Sequence, residues 1–98
     1  MTAVVLTRDL MDGSRFRSSL PDAVIARQPT PELVADAHVV IVDLAGNYDL
    51  AAVVAFGVPV VAYGAHVDTE ALEAALAAGC VDAVPRSKIF RRAAELLD

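Results

Sequence analysis

Short apolar runs, separated by segments that carry helix signals, constrain the fold of this chain more than any other feature. Within each run the residues are mostly apolar and do not alternate with polar ones, which is typical of strands covered on both faces. The five runs are residues 3–7, 23–26, 38–42, 58–63 and 83–84. Because such strands need helices on both sides, the pattern predicts an α/β domain with a parallel sheet.

Helix signals lie between the apolar runs. Asp68 is placed to cap a helix over residues 69–78, which Gly79 then ends. Thr30 and Pro31 open a shorter helix as its N-cap and first helical residue. Ser87 is a candidate N-cap for the last helix. Segments 10–20 and 48–56 complete the alternation of strands and helices.

Five parallel strands with right-handed crossovers favour a flavodoxin-like three-layer sandwich with strand order 2-1-3-4-5. In that order ligands bind beyond the carboxyl ends of strands 1 and 3. Asp9 follows the first run and Asp43 follows the third. We therefore expect these two carboxylates to meet in one crevice.

Composition limits the classes of function. A chain of 98 residues predicts a single domain spanning residues 1–98. Thirteen acidic against eight basic side chains disfavour general nucleic-acid binding, although four of the cations crowd into residues 86–92. That basic run is either a solvated helix face or a local anion-binding patch.

Nothing in the sequence predicts export or membrane insertion. The N-terminus lacks the features of a secretory signal, and the longest apolar run, residues 50–65, is broken by Gly57 and Pro59. Cys80 is a lone cysteine among small apolar residues, as expected of a buried hydrophobe in a reducing compartment. We expect a cytoplasmic protein.

Three segments carry a resemblance to a known family. They are VVIVDL at positions 39–44, VPVVAYGAH at positions 58–66 and AGCVDAVPRS at positions 78–87. In order and spacing they resemble the third, fourth and fifth strands of the receiver (CheY-like) domain of bacterial response regulators. The resemblance extends over essentially the whole chain.

The resemblance assigns a role to each residue at the crevice and shows that several roles are not filled. Asp43 matches the aspartate that accepts a phosphoryl group, and Asp9 matches the second of two acidic residues that hold magnesium. Arg8 stands at the first acidic position. Gly64 stands where the family has a Thr or Ser that bonds the phosphoryl group, and Arg86 replaces a Lys.

These departures predict a degenerate site. Magnesium is held by carboxylates and water, and a guanidinium in that shell repels it; two unit charges 4 Å apart interact by about 4 kcal/mol at an effective dielectric near 20. Without a hydroxyl at Gly64, the hydrogen bond that couples phosphorylation to a conformational shift is lost. We therefore expect no metal or other cofactor and no catalytic residue.

Two arrangements of the arginines remain open. In the first, the guanidinium of Arg8 or Arg86 occupies the place of the cation and pairs with Asp43 or Asp9. In the second, Arg8 turns to solvent and Asp43 caps the turn that follows it. The sequence does not choose between them.

The favoured functional hypothesis is a stand-alone receiver-like signalling domain, not an enzyme, that acts through protein–protein interaction and is not phosphorylated by the usual magnesium-dependent route. Helix 4, strand 5 and helix 5 form the expected partner surface, where a homodimer is also considered. One alternative is a functional single-domain response regulator that is phosphorylated on Asp43, with magnesium held by Asp9 and waters and with Arg86 in place of the lysine. Another is a small anion-binding or metabolite-binding α/β protein with Arg8, Arg86 and His66 as contacts.

Overall fold

Five parallel strands form one sheet in the computed structural model, which describes residues 2–96. Its order is β2-β1-β3-β4-β5, and every neighbouring pair is parallel. The predicted α/β fold and strand order are therefore confirmed. The strands are β1 (Ala3–Leu6), β2 (Val24–Ala26), β3 (Val39–Asp43), β4 (Val60–Gly64) and β5 (Asp82–Pro85).

A helix follows each strand, and a short 3-10 turn, Leu44–Gly46, precedes the third one. The carboxylates of Asp9, Asp49 and Asp68 accept backbone N–H groups in the first turns of α1, α3 and α4. The last helix begins at Arg86, directly after β5, so the prediction that Ser87 is its N-cap is wrong. The helices are α1 (Leu10–Ser19), α2 (Pro31–Ala35), α3 (Leu50–Val54), α4 (Thr69–Ala77) and α5 (Arg86–Leu96).

The sheet has an apolar core on each face, which explains why its strands do not alternate between apolar and polar residues. On one face Phe16 of α1 and Ile89 of α5 pack against alternate strand residues. On the other face Val34, Val53 and Ala75 bring α2, α3 and α4 against the remaining strand residues. Helices α1 and α5 therefore form one outer layer, and α2, α3 and α4 form the other.

Gly79 ends α4 in a backbone conformation that residues with a side chain rarely adopt. Its φ is +111°, and a Cβ at this position would lie 2.8 Å from Cγ1 of Val54. Both the left-handed backbone and the close approach to α3 require glycine here. The predicted helix end at Gly79 is confirmed.

No helix within residues 2–96 combines the length and the apolar character that a bilayer crossing needs.

Candidate functional site

Asp43 is the last residue of β3, and its carboxylate is buried at the carboxyl-end edge of the sheet, with 2% of the residue exposed. Its Oδ2 accepts the Thr7 hydroxyl at 2.9 Å, and its Oδ1 accepts the Ala45 N–H at 3.0 Å. Both carboxylate oxygens therefore have a protein donor. One of these donors belongs to the turn that Asp43 caps.

Thr7 connects the ends of β1 and β3. Its hydroxyl donates to Asp43 and accepts the Asp9 N–H at 3.1 Å. The Asp9 carboxylate accepts the N–H groups of Met11 and Asp12 and so caps α1. Asp9 and Asp43 therefore lie at the same edge of the sheet, as predicted, but Asp9 is exposed and its carboxylate caps α1.

Arg86 brings a positive charge to two buried carboxylates. It stands at the start of α5 and forms a hydrogen-bonded ion pair with Asp12 through its Nη1. Its Nη2 lies 3.7 Å from Oδ1 of Asp43. Arg86 therefore links α1, β3 and α5 at one point.

Tyr63 completes the cluster from β4. Its hydroxyl donates to Oδ2 of Asp12 at 2.9 Å, and the Arg86 guanidinium carbon lies 5.5 Å from its ring centroid. Within residues 2–96, every buried side-chain nitrogen and oxygen has a hydrogen-bond partner. The cluster is thus a satisfied polar network, which favours a single rigid arrangement.

The network shifts the pKa values of two of its members. Burial raises the pKa of Tyr63 far above its usual range, and the charges of Asp43 and Asp12 act in the same direction. Burial lowers the pKa of Arg86, but the charges of Asp12 and Asp43 outweigh it and raise the pKa above its ordinary value. Tyr63 therefore stays neutral and Arg86 stays charged.

Sequence reasoning missed Asp12 and Tyr63 as members of the site. Asp12 precedes Phe16 by four residues, which places both on the buried face of α1. Tyr63 is the next-to-last residue of a fully buried strand, where a hydroxyl needs a partner. These two signals together point to a buried carboxylate–hydroxyl pair.

Arg8 is directed away from the carboxylates. Its Nη1 donates to the Gly46 carbonyl at 2.8 Å, and its guanidinium carbon lies 5.0 Å from the Tyr48 ring centroid. Within residues 2–96 it forms no ion pair with Asp9 or Asp43. The structure therefore combines the two open arrangements, because Arg86 pairs with Asp43 while Asp43 also caps the turn.

The two remaining predicted residues lie at the end of β4. A Cβ on Gly64 would lie 3.2 Å from Cδ1 of Leu44, so an apolar side chain borders the place where the receiver resemblance puts a hydroxyl. His66 is exposed in the turn before α4. Among residues 2–96, no three His, Cys, Asp or Glu side chains are grouped so that they could hold a metal ion.

Solved bacterial structures share this architecture. A response regulator from Thermotoga maritima superposes with a TM-score of 0.74 at 15% identity, with 98% of this chain and 96% of that chain covered. A CheY-like protein, TadZ, from Pseudomonas aeruginosa gives a TM-score of 0.77 at 21% identity, with 99% and 96% covered. This chain has the receiver fold.

The receiver fold also occurs outside proteins described as response regulators. A pilus assembly-related protein from Burkholderia pseudomallei superposes with a TM-score of 0.72 at 12% identity, with 99% of this chain and 86% of that chain covered. A scan against protein-family models and a search of curated proteins give no match. The likeness is therefore one of fold, and the function must be argued from the site.

Proposed function

We propose that this chain is a receiver-like signalling domain that acts through protein–protein interaction and does not undergo the magnesium-dependent phosphorylation of ordinary receivers. The observation that carries the proposal is the position of Arg86 between the buried carboxylates of Asp12 and Asp43. Arg86 stands at the position that the resemblance gives to a lysine, and its guanidinium contacts Asp12 as well as Asp43. The domain is then held in one state.

The donor set at this edge does not suit magnesium. The ion prefers six oxygen ligands near 2.1 Å in octahedral geometry, including carboxylates that are free to turn toward it. The Asp43 oxygens already accept from Thr7 and Ala45, and Asp9 caps α1. The nearby Arg86 guanidinium adds a repulsive charge for any metal ion.

The conformational switch is also incomplete. A receiver couples phosphorylation to movement through a hydroxyl after its fourth strand, and this chain has Gly64 there. Tyr63, which precedes Gly64, is bonded to Asp12 and has no exposed surface. An added phosphoryl group on Asp43 would therefore find no side-chain hydroxyl at position 64. The neighbouring Tyr63 ring is already fixed by its bond to Asp12.

A surface for a protein partner is available along α4, β5 and α5. A groove of about 530 Å³ is lined by residues of β5 and α5 that include Lys88, Arg91 and Glu95. Leu76 in α4 and Val81 just before β5 are large apolar residues that are 49% and 63% exposed. Exposed basic and apolar groups on these elements suit a partner with a complementary acidic and apolar surface, or a second copy of the chain.

The experiment is incubation of the chain with magnesium and either acetyl phosphate or beryllium fluoride. Intact mass measures covalent phosphorylation, and backbone NMR shifts of Asp43, Ala45 and Gly64 measure binding. We expect no adduct and no magnesium-dependent shifts. A phosphorylated Asp43 or saturable shifts with beryllium fluoride would instead establish a working phosphorylation site and overturn the proposal.

Protein interaction needs a separate measurement. Sedimentation of the wild type and of a Lys88→Glu, Arg91→Glu variant tests a homodimer through α5, because reversing two charges weakens a complementary contact. A matched variant, Arg17→Glu, Arg27→Glu, also reverses two exposed charges but lies outside α5. Loss of self-association in the α5 variant alone supports a homodimer through α5. A wild type that stays monomeric excludes the homodimer, and the partner would then be a different protein.

A further inference from the structure

A second cleft lies on the other side of β1, away from the contact between Asp43 and Arg86. It has a volume of about 260 Å³ and is bordered by the ends of β1 and β2 and by one side of α1, from Leu10 to Arg17. Three arginines line it, Arg8, Arg17 and Arg27. Each comes from a different segment of the chain, so the fold brings three arginine residues to the lining of one cleft.

The charge of this cleft is opposite to that of the whole chain. The chain carries eight basic and thirteen acidic side chains, yet three of the basic ones line this small cleft. Within residues 2–96, Asp9 is the only acidic residue that lines it, and the Asp9 carboxylate accepts the N–H groups of Met11 and Asp12. The lining therefore has an excess of two positive charges in a protein whose net charge is −5.

The loop after β3 holds one wall of the cleft in place. Arg8 donates to the Gly46 carbonyl and lies over the Tyr48 ring, and the Tyr48 hydroxyl donates to the Arg27 carbonyl at 2.8 Å. Tyr48 can lie across the loop because Gly46 has no Cβ, which would overlap the Tyr48 ring. Asn47, with φ of 55°, supplies the left-handed turn between them. Two of the three arginine segments are thus positioned before any ligand arrives.

Apolar groups border the same cleft. Leu10 is 84% exposed and lines it together with Ile25 and Ala26. A ligand can therefore place a charged group on the arginines and an uncharged body against these side chains. A volume of about 260 Å³ limits that ligand to a small molecule.

We propose that this cleft binds a small phosphate-bearing ligand, with the phosphate on Arg8, Arg17 and Arg27 and the uncharged body against Leu10 and Ile25. The guanidinium group is planar and always charged, and it presents paired donors that match phosphate oxygens. The site uses neither Asp43 nor Arg86. It therefore adds a ligand-binding activity to the signalling role proposed above.

The experiment measures binding of adenosine monophosphate, pyrophosphate and adenosine to the full chain by calorimetry and by backbone NMR. Saturable shifts for adenosine monophosphate and pyrophosphate are expected at Gly13, Ala26 and Arg27, with no response to adenosine. Added salt should weaken the binding, because the charges are partly exposed.

Variants assign the site. Arg17→Gln and Arg27→Gln should each weaken binding roughly tenfold, since each removes one charge-assisted contact. Arg15→Gln is the matched control, because Arg15 is on the same helix but lies over the Phe90 ring, 3.8 Å from its centroid. This control should change affinity by less than about twofold.

Several results would overturn the proposal. One is the absence of saturable binding of either phosphate compound at millimolar concentration. Another is a set of shifts centred on Ser87 and Lys88, which would move the anion site to α5. Equal binding of adenosine and adenosine monophosphate, or an equal loss in the Arg15 and Arg17 variants, would show that the phosphate is not held by this cleft.

Discussion

The Tyr63 hydroxyl donates a hydrogen bond to the Asp12 carboxylate across 2.9 Å, and this bond joins two residues that are 51 positions apart in the chain. The same carboxylate oxygen is the partner of Arg86. One buried oxygen thus ties together α1, β4 and α5. Two helices and a strand are here connected by a satisfied hydrogen-bond network.

Replacing Tyr63 with Phe tests the strength of this connection. The substitution keeps the buried ring and removes the donor, so Asp12 keeps only its contact with Arg86. We expect the free energy of unfolding to fall by about 1–3 kcal/mol, as for a buried hydrogen bond to a charged group. Urea denaturation followed by circular dichroism measures it.

Tyr48→Phe is the matched control, because its hydroxyl donates to the carbonyl of Arg27 in an exposed position. Its loss should cost less than about 1 kcal/mol, since water can replace the tyrosine as the donor. A cost for Tyr63→Phe no larger than that for Tyr48→Phe would mean that the Asp12 bond adds nothing to stability.

Alkaline pH provides a second test of Tyr63. Its folded-state pKa is raised by burial above the ordinary value of about 10, so below that pH the residue is protonated in both states. Above it, the unfolded chain releases the proton while the folded chain keeps it. Stability should then fall as pH rises, by up to about 1.4 kcal/mol per pH unit for this one group.

Free energies of unfolding at several pH values on either side of the ordinary tyrosine pKa provide the comparison. The fall should be shallower in Tyr63→Phe than in the wild type. Some slope should remain in the variant, because burial also raises the pKa of Tyr48. Identical slopes in the two proteins would contradict the assignment.

The fold was predictable because its main signals are local. Uniformly apolar runs specified buried strands, and Asp68 and Gly79 marked the two ends of α4 in the sequence. The start of α5 was not predictable in this way. Its first turn directly follows Pro85, since the helix begins where the strand ends.

The site was predictable only in part, because it depends on side-chain directions. The position of Asp43 at the end of a strand follows from the apolar pattern. The choice of Arg86 rather than Arg8 as its partner depends on the Gly46 carbonyl and the Tyr48 ring, which attract Arg8 to the other side. Asp12 belongs to the site only because the tertiary fold brings α1 next to Tyr63, which a sequence pattern does not show.

Thr7→Val is expected to destabilise the carboxyl end of β1 without changing the packing volume of the core. Valine has nearly the same shape as threonine but leaves Oδ2 of Asp43 without its hydroxyl donor and the Asp9 N–H without its acceptor. The expected loss in unfolding free energy is about 1–3 kcal/mol. Thermal and urea denaturation both measure it.

Thr30→Val is the control, because Thr30 precedes α2 but makes no capping hydrogen bond with its side chain. The change there should stay within about 0.5 kcal/mol, as for most exposed positions. Equal losses at the two threonines would remove the argument that Thr7 organises the site.

Two glycines separate backbone strain from steric overlap. Gly57 has φ of +83° with open space around its missing Cβ, whereas Gly79 has φ of +111° with Val54 2.8 Å away. Gly57→Ala should cost about 1–2 kcal/mol from the left-handed backbone alone. Gly79→Ala should cost at least about 1 kcal/mol more, because α3 must also shift. Denaturation midpoints of the two variants that coincide would exclude a contribution from the Val54 contact.

Restoring the missing receiver residues tests the proposal that these positions prevent phosphorylation. The triple variant Arg8→Asp, Gly64→Ser, Arg86→Lys supplies an acidic group, a hydroxyl and a lysine at the positions that the resemblance assigns. The serine at position 64 should be tolerated, because the closest atom to its Cβ is Cδ1 of the Leu44 side chain at 3.2 Å, which can move aside. We expect magnesium-dependent NMR shifts around Asp43 with beryllium fluoride in the triple variant and none in the wild type.

The same triple variant with Asp43→Asn is the control and should not respond, since it lacks the acceptor carboxylate. A folded triple variant that ignores magnesium and beryllium fluoride would mean that these three positions are not what prevents phosphorylation, and attention would move to the Asp12–Tyr63 bond.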